Sequence, residues 1–517
     1  MEISFSIIFR IIINFIVIII GIYMYCIRSN FPIHMLQLEG YDNEEYKNWL
    51  KENKNKVFKL WYGKNKNEKT PLVLTDRAKR LFKTHYKVNF LFLLLIEIIV
   101  FHFYINKNLN ILIPVTLNGA LLFILYFVQY KVVILSNKLA LPRELKINQG
   151  FFNSAQNKIK ELKKKNLKVV GITGSFGKTS VKFISNTVLS EGFRVKNTPS
   201  SFNTPMGLSK IINNELDETY EIFIAELGAK KKGEIEEVAN LVSPDIGVIT
   251  AIGPTHMHLF KTIENIMDTK YELIESLPND GIAIFNYDNE YVRVLADKTT
   301  KKTIRYGTCD FDKLDIYAKD IKVSEIGSSF KLVIKNFGEI DCETKLLGVH
   351  NISNLLAAAS IGYVLGLSLE KIRDGIKKVE GVEHRLNLIP SPTGSLVIDD
   401  AFNSNPVGFR AALDVLGNFK TRQKIIVTPG MVELGDIEEK ENYEIAKEIA
   451  KVCDYVILVG KNRTEPIYRG LKDINFDENK VIVVSSLDEA TIELAKINTP
   501  NSVVLFENDL PDSYSEE

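Results

Sequence analysis

The sequence predicts an α/β protein with a mainly parallel central domain and a C-terminal, Rossmann-like α/β domain, preceded by three transmembrane helices. Three observations carry that prediction. The first 135 residues hold three long apolar runs. From residue 167 onward, apolar runs of strand length alternate with stretches of helical period, the pattern of βαβ units and a parallel sheet. Between one such run (Val169, Val170, Ile172) and a helix-like stretch beginning near Thr179 lies GITGSFGKTS, residues 171–180, a glycine-bearing loop shaped to cradle phosphate.

Residues 3–27 are a nearly unbroken run rich in Ile and Phe, long enough to span a hydrocarbon core. The run lacks a basic n-region and a small-residue cleavage site, and it is too long for a signal peptide, so it reads as a retained anchor. Residues 88–105 and 110–134, separated by INKNLN, read as a transmembrane hairpin. Glu97 falls inside the first of that pair; a charge there is costly, so it is expected to face another helix, be protonated, or both. Residues 28–87 carry fourteen Lys and Arg against seven Asp and Glu, which by the positive-inside rule makes this loop cytoplasmic. The protein is then a multi-pass protein of the cell membrane, with everything after residue 135 in the cytoplasm. Within the loop, HMLQLEGYDNEEYKNWL is expected to lie as an interfacial helix against lipid headgroups, through Tyr41, Tyr46 and Trp49. Residues 136–166, with Pro142 and the basic run KIKELKKKN, form a juxtamembrane linker suited to anionic lipid.

In the loop at 171–180, Gly174 and Gly177 can take positive backbone dihedrals and let backbone N–H groups approach an anion. Lys178 is placed to neutralise the outer phosphates of a nucleotide and Thr179 to hold magnesium. Thr173, Gly174, Ser175, Gly177, Lys178, Thr179 and Ser180 are therefore assigned to the nucleotide. The general P-loop pattern wants a glycine where Ile172 stands, but the shorter form T-G-S-x-G-K-T matches. A bare glycine turn before a helix is the alternative.

Further along, YEIFIAEL ends a strand at Glu226, a carboxylate placed to meet a phosphate-bound metal. IGVITAI opens into GPTHMH, with His256 and His258, either of which can equally be a plain loop histidine. In TIENIMDTKYELIESL, Lys270 falls on the apolar stripe of Ile263, Ile266, Met267, Ile274 and Leu277, so it must snorkel, find an anion or lose its charge. GVHNISN starts a helix with His350, Asn351 and Asn354 on one side of its first turn, groups able to read a base edge or, for Asn351, to cap the helix. Past Arg385 a second α/β unit begins: SLVIDDAFNSNP ends a strand at Asp399 and Asp400, followed by Asn403 and Asn405, and KIIVTPGMVELGD gives another strand and a glycine loop with Glu433. Paired carboxylates at a strand end suit metal, ribose hydroxyls or an ammonium group, or form a solvated turn.

A formal net charge of +1 gives no global basic excess, and the one basic run is short and lacks interleaved aromatics, so nucleic acid is not an expected partner. Cys26, Cys309, Cys342 and Cys453 are scattered without metal-like spacing and are expected to be free thiols in a reducing compartment.

The phosphate loop, Glu226, GPTHMH, Lys270, GVHNISN and VIDDAFNSNP, in this order, resemble the Mur ligase family over roughly residues 167–500. The IDDAFNSNP and GMVELGD stretches are similar to the branch that joins D-alanyl-D-alanine to a UDP-N-acetylmuramoyl tripeptide. After the membrane region at 1–135 and the linker at 136–166, the resemblance implies a central ATP-binding domain at 167–385 and a C-terminal domain at 386–517. It implies an ATP-dependent, ADP-forming ligase of peptidoglycan synthesis. Such an enzyme activates a carboxylate as an acyl phosphate and adds an amino acid or dipeptide to a cell-wall precursor. Lys178, Lys270 and Arg385 would be catalytic. Thr179 and Glu226 would bind one Mg2+ and His256 a second, beside Lys270 converted to a carbamate. His350, Asn351 and Asn354 would lie on the adenine side, Arg385 near the transferred phosphate, Asp399 or Asp400 on the ribose side, and Asn403 and Asn405 beside the incoming amine. Closure of the two domains is expected to assemble the site and exclude water.

Two departures bear on the substrate. Membrane spans stand where the family's UDP-sugar domain is usual, and LFENDLPD stands where a lysine-glycine-serine-arginine loop is usual. They point to an acceptor presented at the membrane and lipid-linked, with simple tethering of an ordinary ligase as the alternative. Competing readings are a membrane-associated ligase making a polyglutamate or capsule polymer, and an ATP-hydrolysing membrane motor or sensor.

Overall fold

The computed structural model describes residues 5–54, 71–105, 110–392, 394–402 and 404–510. Two compact units divide near residue 149.

The N-terminal unit is helical: α1 (Phe5–Leu38), α2 (Asn43–Glu52), α3 (Asp76–Ile105), α4 (Leu112–Phe127) and the first part of α5 (Gln129–Lys164). Phe15, Ile16, Ile19 and Ile20 on α1 and Leu94, Leu95, Ile98 and Ile99 on α3 are exposed, a display that hydrocarbon accepts and water does not. Among the described residues, Ile8–Leu38 and Asp76–Ile105 are each long and apolar enough to cross a membrane, and the bent pair α4–α5 makes a third if it counts as one span.

Two expectations need correction here, and one gains its secondary structure. The run expected to span as one helix over 110–134 breaks at Val128, where α4 and α5 meet at 64°. At the break the Gln129 side chain donates to the Leu125 carbonyl at 2.9 Å and to Asn89 Oδ1 at 2.7 Å, and a side chain inserted into the helical ladder bends it. The segment expected as a linker is helical to Lys164 with Pro142 inside it. The expected interfacial helix is two pieces: the end of α1, and α2, capped by Asp42 Oδ1, which accepts from Glu44 N at 2.7 Å. Tyr46 and Trp49 are buried against Ile33, Leu36, Leu81 and Val133 in the unit's own core, so these two rings do not face headgroups.

Glu97 does face other helices. Its carboxylate accepts from Asn14 Nδ2 (2.7 Å) on α1 and Asn118 Nδ2 (3.0 Å) on α4. A second buried polar cluster joins His85, Asn89, Ser29, Gln129 and Ser136.

The second unit, from residue 150 on, has two sheets. The first is built from β1 (Lys168–Thr173), β2 (Val195–Asn197), β3 (Ile222–Glu226), β4 (Ile246–Ile249), β5 (Ile282–Asn286), β6 (Lys302–Gly307), β7 (Ile316–Ser324), β8 (Gly327–Ile334) and β9 (Gly338–Thr344), in the order 2-3-1-4-5-6-7-8-9. Pairing is parallel as far as β7 and antiparallel across β7–β8–β9, a meander that the parallel reading did not anticipate. Successive β1 side chains enter different cores, Val169 one and Val170 the other, because helices cover both faces, as parallel sheets require. Those helices are α6 (Lys178–Leu189), α7 (Pro205–Glu215), α8 (Glu234–Val242), the short α9 (Met257–Phe260), α10 (Ile263–Glu275), α11 (Glu290–Lys298), α12 (Val349–Val364) and α13 (Leu369–Lys378).

The second sheet has the order 10-11-15-12-13-14, parallel except for β10 (Asn387–Pro390) against β11 (Leu396–Asp400). Its other strands are β12 (Gln423–Thr428), β13 (Tyr455–Val459), β14 (Val481–Val484) and β15 (Ser502–Glu507), alternating with α14 (Pro406–Gly417), α15 (Glu438–Val452), α16 (Glu465–Asp473) and α17 (Leu487–Ile497). In the first sheet β1 lies between β3 and β4, so the crevice beyond its carboxyl end is a place where such folds bind ligands.

Replacing Glu97 by Leu leaves two amide donors without their acceptor in an apolar bundle, at about 1–3 kcal/mol for each orphaned group. Thermal unfolding in detergent should show Glu97→Leu clearly less stable than wild type, with Glu97→Gln between the two.

Candidate active site

The loop between β1 and α6 is held against the end of β4. Ser175 N donates to Ala251 O at 2.6 Å, Ser175 Oγ to Gly253 O at 3.0 Å, and Thr250 Oγ1 to Phe176 O at 2.6 Å. This close approach accounts for two glycines. Gly174 has φ +156 and a Cβ there would sit 2.2 Å from Thr250 Oγ1; Gly177 has φ +81 and a Cβ there would meet Asn354 Oδ1 at 3.1 Å. The N-terminus of α6, with no side-chain cap, leaves its N–H groups directed at the loop's mouth. Lys178 Nζ curls back to donate to Gly174 O (2.7 Å) and Ser175 O (3.1 Å). One assignment is corrected: the Thr173 hydroxyl is fully buried and donates to Leu227 O at 2.9 Å, joining two segments of the core instead of facing a ligand.

At the end of β3, Glu226 is 1% exposed and fully engaged. Oε2 accepts from Thr179 Oγ1 at 3.0 Å and pairs with Lys182 Nζ at 3.1 Å, while Oε1 accepts from Asn203 Nδ2 at 3.1 Å. Burial pushes its carboxyl up, but Lys182 and Lys178 outweigh burial and hold it below the ordinary carboxylate range. Burial likewise lowers Lys178 to about 8, with Glu226 opposing and Arg385 assisting. Arg385 is lowered by burial against the pull of Asp400 and Glu226. Lys182 thus pairs directly with this buried carboxylate, Lys178 acts on it from the loop, and Arg385 is drawn first to Asp400 and then to Glu226. Two participants, Lys182 and Asn203, were not singled out from the sequence; the only signal was a lysine one helical turn after Lys178 among Val181, Ile184 and Ser185. Thr179 and Glu226 supply paired hard oxygens, which fits Mg2+, an ion that takes one or two protein oxygens and leaves the rest to water and phosphate. Among the described residues no trio of His, Cys, Asp or Glu forms a cage for a metal.

A cavity of 390 Å³ adjoins the loop. Gly177, Ser180, His350, Asn351, Asn354, Arg385, Asp400 and Asn405 from the predicted set line it, with Asn286, Asp288, Asn289 and Thr308, which were missed. Asp288 is itself fixed, accepting from Thr308 N at 2.7 Å and Thr308 Oγ1 at 2.9 Å. Asn351 does not cap α12: it donates to Leu347 O at 2.9 Å and accepts from Asn354 Nδ2 at 3.1 Å, which fixes both amides. Burial lowers the His350 pKa and keeps the imidazole neutral. Of the two strand-end carboxylates, Asp400 reaches the cavity while Asp399 lies 2.8 Å from His384 Nδ1. Asn405 spends its Oδ1 on the cap of α14, bonding Val407 N and Gly408 N. Asn403 lies outside the described residues. A second cavity, of 580 Å³, is lined by Thr179, Ser200, Ser201, His384 and Arg385 among others, so Arg385 borders both.

Lys270 and His256 line neither cavity. Lys270 is 3% exposed, and burial together with Lys178 brings its pKa down to about 7. His256 has φ +50, and its Nδ1 lies 2.6 Å from Glu433 Oε2, a carboxylate from the loop after β12.

Fold and site together define an α/β protein with a glycine loop of the phosphate-cradling kind and cations gathered at one strand end. Residues 172–362 match the Mur ligase middle domain and residues 384–507 the Mur ligase, glutamate ligase domain. The chain belongs to the Mur ligase family. It is 33% identical over 297 residues to the UDP-N-acetylmuramoyl-tripeptide--D-alanyl-D-alanine ligase of Bacillus subtilis (strain 168), covering 57% of this chain and 63% of that protein. The chain thus spans less than two thirds of the length of that relative. Among solved structures, MurF from Acinetobacter baumannii superposes with a TM-score of 0.64 at 24% identity, over 71% of this chain and 79% of that one. The MurF ligase from Thermotoga maritima in complex with ADP gives 0.62 at 24%, over 71% and 82%.

Gly174→Ala must displace the loop from β4, and its loss of nucleotide binding should exceed about tenfold in a fluorescent-nucleotide titration. Because Glu226 has a lowered folded pKa, its contribution to stability is present above the ordinary carboxylate pKa and is lost as pH falls through the lower folded value. Wild type should therefore lose stability below about pH 4 more steeply than Glu226→Gln in denaturant titrations run at several pH values.

Proposed function

We propose that this chain is an ATP-dependent, ADP-forming amide ligase of peptidoglycan-precursor synthesis, joining D-alanyl-D-alanine or a similar amine to a muramoyl-peptide carboxylate. It works from the cytoplasmic face of a membrane that its N-terminal helices cross as a multi-pass anchor. The observation that carries this reading is the convergence of Lys178, Lys182 and Arg385 on Glu226 and Thr179 beside the phosphate loop. The names of the relatives supply the substrate class.

In this reading the 390 Å³ cavity takes the nucleoside, with His350, Asn351 and Asn354 on its base and Asp400 at its ribose. The 580 Å³ cavity takes the acceptor's carboxylate end. Arg385, bordering both, stands where the terminal phosphoryl group passes between them. An acceptor carboxylate oxygen attacks the terminal phosphorus, the bond to the ADP oxygen breaks, and Lys178 and Arg385 take up the charge that moves. The amine nitrogen then attacks the acyl carbon, phosphate leaves with the bonding pair, and the nitrogen loses its extra proton. Thr179 and Glu226 would hold magnesium, which would supply charge neutralisation for the transferred phosphate. Closing the two α/β sheets over the reactants keeps water from the acyl phosphate.

Lys270 takes up carbon dioxide in this account: an N–C bond forms, a proton leaves, and a carbamate stands where a buried amine stood. Three facts support it. Lys270 is nearly inaccessible, burial brings its amine to about 7, and Lys178 is the neighbouring charge that repels it most. A carbamate would turn that repulsion into attraction and would supply an anion toward the second Mg2+ that His256 would help to hold.

Phosphate release by the full-length protein in detergent, with ATP and magnesium, should require one acceptor and one amine together; steady release without them would support a motor or sensor instead. Lys270→Ala should lower that rate by about 10²–10³, with partial rescue by a small carboxylic acid. An unaffected variant would return Lys270 to a structural role.

A further inference from the structure

Along the first half of α3 the N-terminal unit has an open groove of 960 Å³. Lys79, Lys83 and Lys87 line it, each four residues from the next and so on one face, about 6 Å apart along the axis. Lys79 lies 3.5 Å from Asp76, whereas Lys83 and Lys87 make no ion pair or hydrogen bond among the described residues. Phe82, Tyr86 and Phe90 line the same groove, Tyr86 and Phe90 being 38% and 54% exposed. Past Lys87 the helix turns apolar for the rest of its length, with its outer side chains exposed. The groove therefore lies where a cationic face gives way to a membrane-crossing one, the depth at which lipid phosphates sit above their chains.

We propose that this groove binds a lipid whose headgroup is a diphosphate. The three lysines face the two phosphates, and the aromatic rings lie along the first carbons of the lipid chain. Charge decides the choice of headgroup. Among the described residues, two lysines without carboxylate partners and a third shared with Asp76 leave between two and three positive charges on one face. A phosphodiester headgroup with a single negative charge matches only one of them, whereas two adjacent phosphates match the set. Aromatic rings beside the cations suit an amphiphile and add nothing for a free anion. The proposal concerns the N-terminal unit alone and does not rest on the ligase reading, because binding needs no ATP.

The test is binding to the full-length protein in detergent without nucleotide, read by native mass spectrometry. The probes are a polyprenyl diphosphate, phosphatidylglycerol and inorganic diphosphate. The polyprenyl diphosphate should bind more tightly than either of the others by about tenfold or more, and Lys83→Glu/Lys87→Glu should lose that advantage. Lys83→Gln/Lys87→Gln, which removes charge without reversing it, should act in the same direction if the reversed chain fails to fold. Lys138→Glu, an exposed site on α5 outside the groove, should bind as wild type does. Equal binding of phosphatidylglycerol would reduce the groove to a general anionic-lipid surface and overturn the proposal. Equal binding of inorganic diphosphate, or unchanged binding by both double variants, would overturn it as well.

Discussion

The buried carboxylate of Glu226 is the constraint on which the candidate site of the second unit depends. An ionised carboxylate out of water is tolerated only when paired and hydrogen-bonded, and here four side chains meet that demand. Thr179 and Lys182 come from α6, Lys178 acts from the loop end of the same helix, and Asn203 comes from the segment before α7. Satisfying Glu226 therefore fixes the helix that follows the phosphate loop relative to the strand beside it. The charges gathered there exceed what one carboxylate balances, because Arg385 arrives from the chain leading into the second sheet. A surplus of positive charge next to free helical N–H groups is the arrangement an incoming phosphate completes.

The same economy of contacts shapes the rest of the site. The glycines of the loop are compressed against Thr250, Ala251 and Asn354, and Asn354 is in turn held by Asn351. A change in the helix that carries His350 would therefore be felt in the phosphate loop. Met257 N donates to Glu433 O at 3.2 Å and His256 lies against the same residue's carboxylate, so the loop expected to bear the second metal is tied to a loop of the second sheet. Those two links tie the loop after β4 to the loop after β12.

What could be read from the sequence was what is local and dense. The phosphate loop, Glu226 at its strand end and the GVHNISN turn are short patterns whose chemistry survives without knowledge of distant contacts, and the alternation of strand and helix gave the parallel sheets. Isolated residues whose partners come from afar were missed. Lys182 is one lysine in a helix until Glu226 is placed beside it, and Asp288 and Thr308 meet only across adjacent loops. The antiparallel meander β7–β9 was hidden because its strands look like any others by composition. Thr173 fits the motif yet points into the core, since a motif specifies backbone shape more firmly than the direction of each side chain. In the N-terminal unit apolar composition located the helices but not the break at Val128, which depends on Gln129 finding Asn89. Nor did it show that Tyr46 and Trp49 turn inward.

The central claim is that phosphoryl transfer to an acceptor carboxylate drives amide formation, and following oxygen tests it most directly. An acceptor carrying heavy oxygen in its carboxylate would be incubated with the full-length protein, ATP, magnesium and the amine, and the released phosphate and the product analysed by mass spectrometry. The account predicts one labelled oxygen in each phosphate released, with the acceptor gaining the mass of the amine less one water. Phosphate free of label, or label retained entirely in an unchanged acceptor, would contradict it.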